Sequence, residues 1–136
     1  MSAPMTEPDD AEIRRHSARM IKDLDIRCES PEQHPGSLSG GNQQKVFIGR
    51  CLDRDDIQVL LLDEPTRGVD VAGRAEIHGL VRRAATAGMA VLFASTELDE
   101  LLELPDELLT MRAGRVIGRH PASVEARTIL GDMTHA

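Results

Sequence analysis

Val59-Leu60-Leu61-Leu62-Asp63-Glu64-Pro65 decides how this chain folds. An apolar run with no alternating polar partner is the pattern of a short strand covered on both faces, and the two acids and the proline end it abruptly. From Ala72 to Ala87 the apolar residues Ile77, Leu80, Val81 and Ala84 fall at i, i+3, i+4 and i+7, one face of a helix, and Gly88 is placed to stop it. Ala90-Val91-Leu92-Phe93 reads as a second buried strand. Strand, helix, strand in that order is a right-handed crossover, which makes the two strands parallel neighbours in an α/β sheet.

Working outward, Ser39 opens a helix to about Leu52, with Val46, Phe47, Arg50 and Cys51 available to its inner faces. Ser30-Pro31, His34-Pro35 and Gly36 break regular structure, so residues 27–37 are a loop. Before it, Ile13, Met20, Ile21 and Leu24 share one helical face, which places a helix at roughly 10–24 with Asp9 or Asp10 as its cap. Residues 1–9 read as a disordered lead-in, and residues 10–136 as one partial domain. On the other side, Leu108–Met111, Ala113-Gly114 and Arg115–Ile117 read as a hairpin at the end of the sheet, and Ser123 as the cap of a last short helix.

Composition narrows the function classes. The 136 residues carry a net charge of -7, with 40% hydrophobic but only 1% aromatic residues, no Trp, no Tyr and two Phe. Such a chain has neither the basic face nor the stacking platforms of a nucleic-acid module. No apolar run approaches the about twenty residues of a membrane span. The acidic N-terminus is unlike a secretory leader, so a cytoplasmic location is expected. Cys28 and Cys51 lack disulfide-framework or zinc-ligand spacing and are expected to be reduced, partly buried thiols. His16, His34, His78, His120 and His135 show no i,i+4 pairing and no fixed acidic partner, so each reads as an isolated surface or loop residue.

Two clusters carry chemistry. Leu38-Ser39-Gly40-Gly41-Asn42-Gln43-Gln44-Lys45 sets two glycines on a helix start, where unpaired N–H groups and the positive dipole end favour an anion and the missing Cβ atoms let a phosphate approach. An ordinary capped helix has the same appearance. The second cluster is Asp63-Glu64 at the carboxyl end of a strand, where open α/β sheets bind ligands. There Asp63 would hold a hydrated Mg²⁺ and Glu64 would orient or deprotonate water, their directions set by strand alternation. Two solvated acids at a strand end remain the plain alternative.

Taken in order with Pro65-Thr66-Arg67-Gly68-Val69-Asp70, these clusters resemble the ATP-binding cassette family. Leu38–Lys45 resembles its signature motif, Val59–Glu64 its Walker B strand and catalytic acid, and Gly68-Val69-Asp70 its D-loop. The wording is similar to the second cassette of fused ATPases that drive ribose, xylose and galactose importers, over about residues 10–130. The resemblance implies an α/β fold, the C-terminal half of a P-loop NTPase (ABC ATPase) domain. It would have a mainly parallel sheet with flanking helices and an incomplete core. It also implies ATP and Mg²⁺ as cofactors. Ser39, Gly40, Gly41, Asn42 and Gln43, with Asp70 and Thr96, would line nucleotide, Asp63 would bind the metal and Glu64 would be catalytic.

Two departures qualify that picture. The sequence contains no G-x-x-x-x-G-K-[ST] loop, since its lysines, Lys22 and Lys45, both lie in other contexts. Thr96, in Ser95-Thr96-Glu97, stands where the family usually has His, and Thr cannot carry the charge or move the proton that imidazole can. The signature motif is therefore expected to serve ATP held by a complete partner cassette or a missing N-terminal half. The chain alone is expected to be inactive. Sugar-importer permease subunits are the other expected partners, with the assembly peripheral to the inner face of the membrane and no segment inserted. A non-catalytic docking or assembly module, a non-functional gene fragment and a chromosome-type cassette ATPase are the competing readings. Without the strand that normally lies beside Walker B, an exposed apolar edge and a tendency to aggregate are expected. Arg67, between Walker B and D-loop, could meet a partner cassette.

Overall fold

The computed structural model describes residues 9–54 and 56–134. The expected disordered lead-in lies outside those residues except for Asp9, as does His135. The elements run α1 (Asp10–Asp23), a single 3-10 turn (Pro35–Ser37), α2 (Gly40–Leu52), β1 (Val59–Asp63), α3 (Val71–Thr86), β2 (Ala90–Ala94), α4 (Leu98–Glu103), β3 (Glu107–Arg112), β4 (Arg115–Pro121) and α5 (Ala126–Thr134). Strands β1 and β2 are hydrogen-bonded neighbours. Ala90 N donates to Gln58 O and Glu64 N to Ala94 O, so position rises together along both strands and the pair is parallel, as the crossover pattern requires. The chain divides into two compact units, one built from residues up to Leu60 with Thr66–Val91, the other from Leu61–Pro65 with Leu92 onward.

In the first unit the helical periodicities mark the core. Leu24, Ile26 and Leu80 form a buried cluster, with Met20, Ile21, Cys28, Leu38 and Val46 packed against it. Ile77, Leu80, Val81 and Ala84 of α3 are all buried, as their spacing predicts. On α1, Ile13 does not join its periodic partners and stays exposed. Asp9 holds the N-cap position of α1 through its backbone carbonyl, which accepts from Glu12 N and Ile13 N, and not through its side chain. The face α2 turns inward is Lys45, Ile48 and Gly49, in place of the expected Phe47 and Arg50. Phe47 is 58% exposed. The phase is set by Leu24, whose side chain lies so close to the α2 backbone that a Cβ on Gly49 would collide with its Cδ1.

The expectation of strands covered on both faces is corrected. In β1 only Leu60 and Leu62 are buried, while Val59 and Leu61 are 56% and 69% exposed; in β2, Leu92 is 61% exposed. Apolar composition encodes a wish for cover on both faces, and the described residues supply it on one.

The second unit contains the hairpin. Strands β3 and β4 pair antiparallel from Glu107↔Pro121 to Arg112↔Arg115, with an irregularity at Thr110/Met111. Ala113 and Gly114 both have positive φ, 49° and 76°, the geometry that a two-residue hairpin turn requires. The hairpin is a separate sheet, not the end of the parallel one, because among the described residues β3 pairs with β4 alone. Helix α5 lies against β3 and buries Ile129. Ser123 does not cap it, since the helix begins at Ala126, three residues further on. Sequence reading also missed α4, whose six residues are too few to show a period.

Candidate functional site

The candidate residues are distributed between the units. The first unit holds Ser39, Gly40, Gly41, Asn42, Gln43 and Asp70; the second holds Asp63, Glu64 and Thr96.

Ser39 is the N-cap residue of α2, in extended conformation, yet its hydroxyl makes no cap bond to the helix. Its Oγ instead accepts from Asn42 Nδ2 at 2.8 Å, and Asn42 Oδ1 accepts from Arg27 N at 3.0 Å. Gln43 Nε2 donates to Leu38 O at 2.8 Å, which turns that side chain back on the preceding loop. Ser39 and Gly40 are exposed. The first-turn amides of a helix have no acceptor within it, so this turn presents donors outward.

The glycines are not equivalent. A Cβ on Gly40 would sit 3.7 Å from Gly68 O, ordinary contact, whereas one on Gly41 would meet Val69 Cγ1 at 3.3 Å and Gly73 Cα at 3.6 Å. Gly41 is thus also a packing residue, letting α2 come close to the start of α3. Asp70 caps that start, its Oδ1 accepting from Gly73 N at 2.7 Å. Thr66 O accepts from Val69 N, closing a turn with Gly68 at φ +74°.

Beneath this surface lies a residue that the sequence marks only as the end of the Leu38–Lys45 cluster and as a lysine outside any phosphate-binding loop. Lys45 is 1% exposed; its ammonium donates to Asp25 O at 2.7 Å and pairs with the Glu76 carboxylate on α3. Arg27 reaches the other oxygen of Glu76 at 3.2 Å. The hydrogen bond from Lys45 holds the Glu76 carboxyl below the usual carboxylate range, against the opposing effect of burial. The signal available in the sequence was position alone, since residue 45 shares a helical face with Ile48 and Gly49.

In the second unit Asp63 is the last residue of β1 and exposed. Glu64 lies beyond the strand at φ +48°, a left-handed conformation uncommon outside glycine, with its N–H held by Ala94 O at 2.8 Å. Its direction is therefore set by this backbone kink, which corrects the expectation from strand alternation. Thr96 is exposed, in a turn where Ser95 Oγ accepts from Glu97 N at 3.0 Å. Mg²⁺ keeps several waters and takes one or two carboxylates together with substrate phosphates. Among the described residues no group of three or more His, Cys, Asp or Glu could hold a metal, so Asp63 is not part of a closed metal site.

Three histidines depart from the isolated surface reading. His16 Nε2 lies 2.7 Å from Asp53 Oδ2, His120 Nε2 lies 2.7 Å from Asp132 Oδ2, and His78 is buried. Acidic partners 37 and 12 residues away leave no local pattern to read. Both cysteines are half-buried free thiols. No helix among the described residues is long and apolar enough to cross a membrane.

A family model described as ABC transporter matches residues 4–67. The arabinose import ATP-binding protein AraG of Pectobacterium atrosepticum is 45% identical over 116 residues, 84% of this chain and 23% of that protein. The ribose import ATP-binding protein RbsA 1 of Streptomyces avermitilis is 47% identical over 105 residues, 77% of this chain and 20% of that protein. The chain thus spans about a fifth of the length of these curated relatives. A solved ATP-binding cassette of an ABC transporter, in its ADP conformation, superposes with a TM-score of 0.75 at 26% identity, covering 95% of this chain and 50% of that one. The chain therefore belongs to the ABC transporter family and has the α/β fold of its ATP-binding cassettes over about half of one, with sequence similarity to the ATP-binding proteins of sugar importers.

Proposed function

We propose that this chain serves as an ATP-binding portion of a carbohydrate importer, its Ser39–Gly41 turn closing on the γ-phosphate of an ATP held by a partner cassette. The observation that carries this reading is the first turn of α2. Ser39 and Gly40 are exposed there, and the Ser39 hydroxyl is not spent on capping its own helix. Amides and a hydroxyl aimed at phosphoryl oxygens stabilise the charge that phosphoryl transfer redistributes. Asn42 and Gln43 brace this turn, and Asp70 braces the adjoining one.

Asp63 and Glu64 have a different task, at ATP bound in their own cassette. Asp63 would share a Mg²⁺ with the nucleotide, and Glu64, held at its kink, would orient the attacking water. Thr96 would face the same phosphate with a hydroxyl in place of an imidazole. The phosphate cradle must come from other sequence, because this one contains no G-x-x-x-x-G-K-[ST] loop. Permease subunits as partners, and a position at the inner face of the membrane, are part of the same proposal, which the sugar-import names of the relatives support.

The test is ATP turnover by the chain mixed with a polypeptide that supplies such a loop. Turnover that appears only in the mixture, and falls about a hundredfold in Glu64→Gln, supports the reading. Turnover indifferent to Glu64 would favour a docking module, and tight MgATP hydrolysis by the chain unaided would refute the division of labour.

A further inference from the structure

We propose that Lys45 is a positioning residue, whose buried ammonium, paired with Glu76, ties the second turn of α2 to the second turn of α3 and so fixes the helix starts just before them. Those helix starts carry Ser39–Gly41 and Asp70, and the lock gives them one fixed geometry.

Several observations converge on it. Lys45 is among the most deeply buried side chains of the chain although it bears a full charge. Burying an ammonium is costly unless it is paired and hydrogen-bonded, and Lys45 is both, through Glu76 and Asp25 O. Glu76 lies on α3, so the pair is a cross-link between the helices. Arg27 adds a second tie, its guanidinium on Glu76 and its amide N–H on Asn42 Oδ1, so the loop before α2 is fastened to both helices. The glycine approach of Gly41 to Gly73 then sets how near the two turns lie. Asp25 has φ +51°, a left-handed conformation that aims its carbonyl at the ammonium.

A packing residue of the same length would fill this space without a charge. A charged lock has a different signature, because it is released when its anion is neutralised. Glu76 is the titrating partner. The other titratable groups around the pair are Arg27 in the loop, already on Glu76, and Asp70 at the start of α3, whose charge opposes the lowering of the Glu76 carboxyl.

The inference rests on the reading that the Ser39–Gly41 turn meets a phosphate, with Asp70 bracing the turn beside it. It is tested on the whole chain without nucleotide or partner, so its failure removes the lock and leaves that reading standing. The measurement is native-state amide hydrogen exchange, corrected for intrinsic rates, at Gln43 N, which is bonded to Ser39 O, and Gly73 N, which is bonded to Asp70 Oδ1. In Lys45→Met both amides should lose about tenfold or more in protection, while amides of the β3–β4 hairpin keep theirs. In the wild type the same loss should develop as pH falls through the depressed Glu76 pKa, and Glu76→Gln should abolish that pH dependence. Glu76→Gln also covers the case in which Lys45→Met fails to fold. Protection at Gln43 and Gly73 that is unchanged in Lys45→Met, lost equally in the hairpin, or independent of pH in the wild type would overturn the proposal.

Discussion

Replacing in turn the three glycines where α2 meets α3 separates packing from phosphate recognition. The nearest atom to an added Cβ lies at 3.7 Å for Gly40, 3.3 Å for Gly41 and 2.6 Å for Gly73, where Val69 Cγ1 is struck directly. Where alanine fits, it stabilises by about 0.4–1 kcal/mol through the freedom it removes from the unfolded chain. Gly40→Ala should therefore be stabilised by about 0.5 kcal/mol. In Gly41→Ala the same gain is offset by moving Val69 a few tenths of an ångström, leaving a change near zero. In Gly73→Ala the collision forces a shift of side chain or backbone, for a net loss of about 1–3 kcal/mol. Urea unfolding followed by far-ultraviolet circular dichroism measures the order, since a chain without Trp or Tyr gives no useful intrinsic fluorescence. Gly40→Ala also sets a methyl group before the exposed turn, so turnover in the mixture that supplies a phosphate loop should fall at least about tenfold despite the stability gain. A destabilised Gly40→Ala or a neutral Gly73→Ala refutes the packing argument. Undiminished turnover in Gly40→Ala refutes phosphate contact at this turn.

Other outcomes follow from the same geometry. The carboxyl of Asp132 is held low by hydrogen bonds from Thr110 and then His120, and that of Glu76 by Lys45. Carboxyls lowered on folding leave the unfolded chain binding more protons, so their contribution is complete above the ordinary values of 4.5 for Glu and 3.8 for Asp and is lost as pH falls through the folded-state values. Acid unfolding followed by circular dichroism should have a shallower limb in Asp132→Asn, and an unchanged limb refutes the assignment. Leu61→Thr and Leu92→Thr, on exposed strand positions, should change stability by no more than about 0.5 kcal/mol while reducing self-association in sedimentation velocity. A large stability loss would mean that this face is covered. Ile129→Ala, at a fully buried position on α5, should cost about 2–5 kcal/mol, and a smaller loss in urea unfolding would show that α5 is loosely held.

Periodicity made the helices legible and left their partners hidden. The spacing of Ile77, Leu80, Val81 and Ala84 identifies the buried face of α3 because every member is apolar. On α2 the same reasoning chose Phe47 and Arg50 over Lys45, since nothing local marks which charged residue finds a partner inside. Lys45 is inside because Glu76 and Asp25 O meet it there, and those partners lie 31 and 20 residues away. Strand faces failed for a related reason. Val59 and Leu61 state what the strand would bury, not what is at hand to cover it, and only the arrangement of neighbours decides that.

The site was legible at the level of segments and not of side chains. Ser39 at a helix start and Asp63-Glu64 at the end of a strand are local facts, and the structure keeps both. What each residue does there depends on contacts made at a distance. Asp70, placed by resemblance in a nucleotide-facing loop, spends one carboxylate oxygen capping α3, and Gly41 spends its missing Cβ on Val69 and Gly73. The two uses need not compete. A capped α3 and a close crossing hold the Ser39–Gly41 turn still, and a turn already fixed has little freedom to lose when it meets a phosphate. Gly41 and Asp70 thus serve the packing of the first unit and its binding turn together. Substitutions that loosen the α2–α3 crossing should weaken function before they unfold the chain, whereas Gly40, which packs against nothing closely, is the position where function alone is at stake.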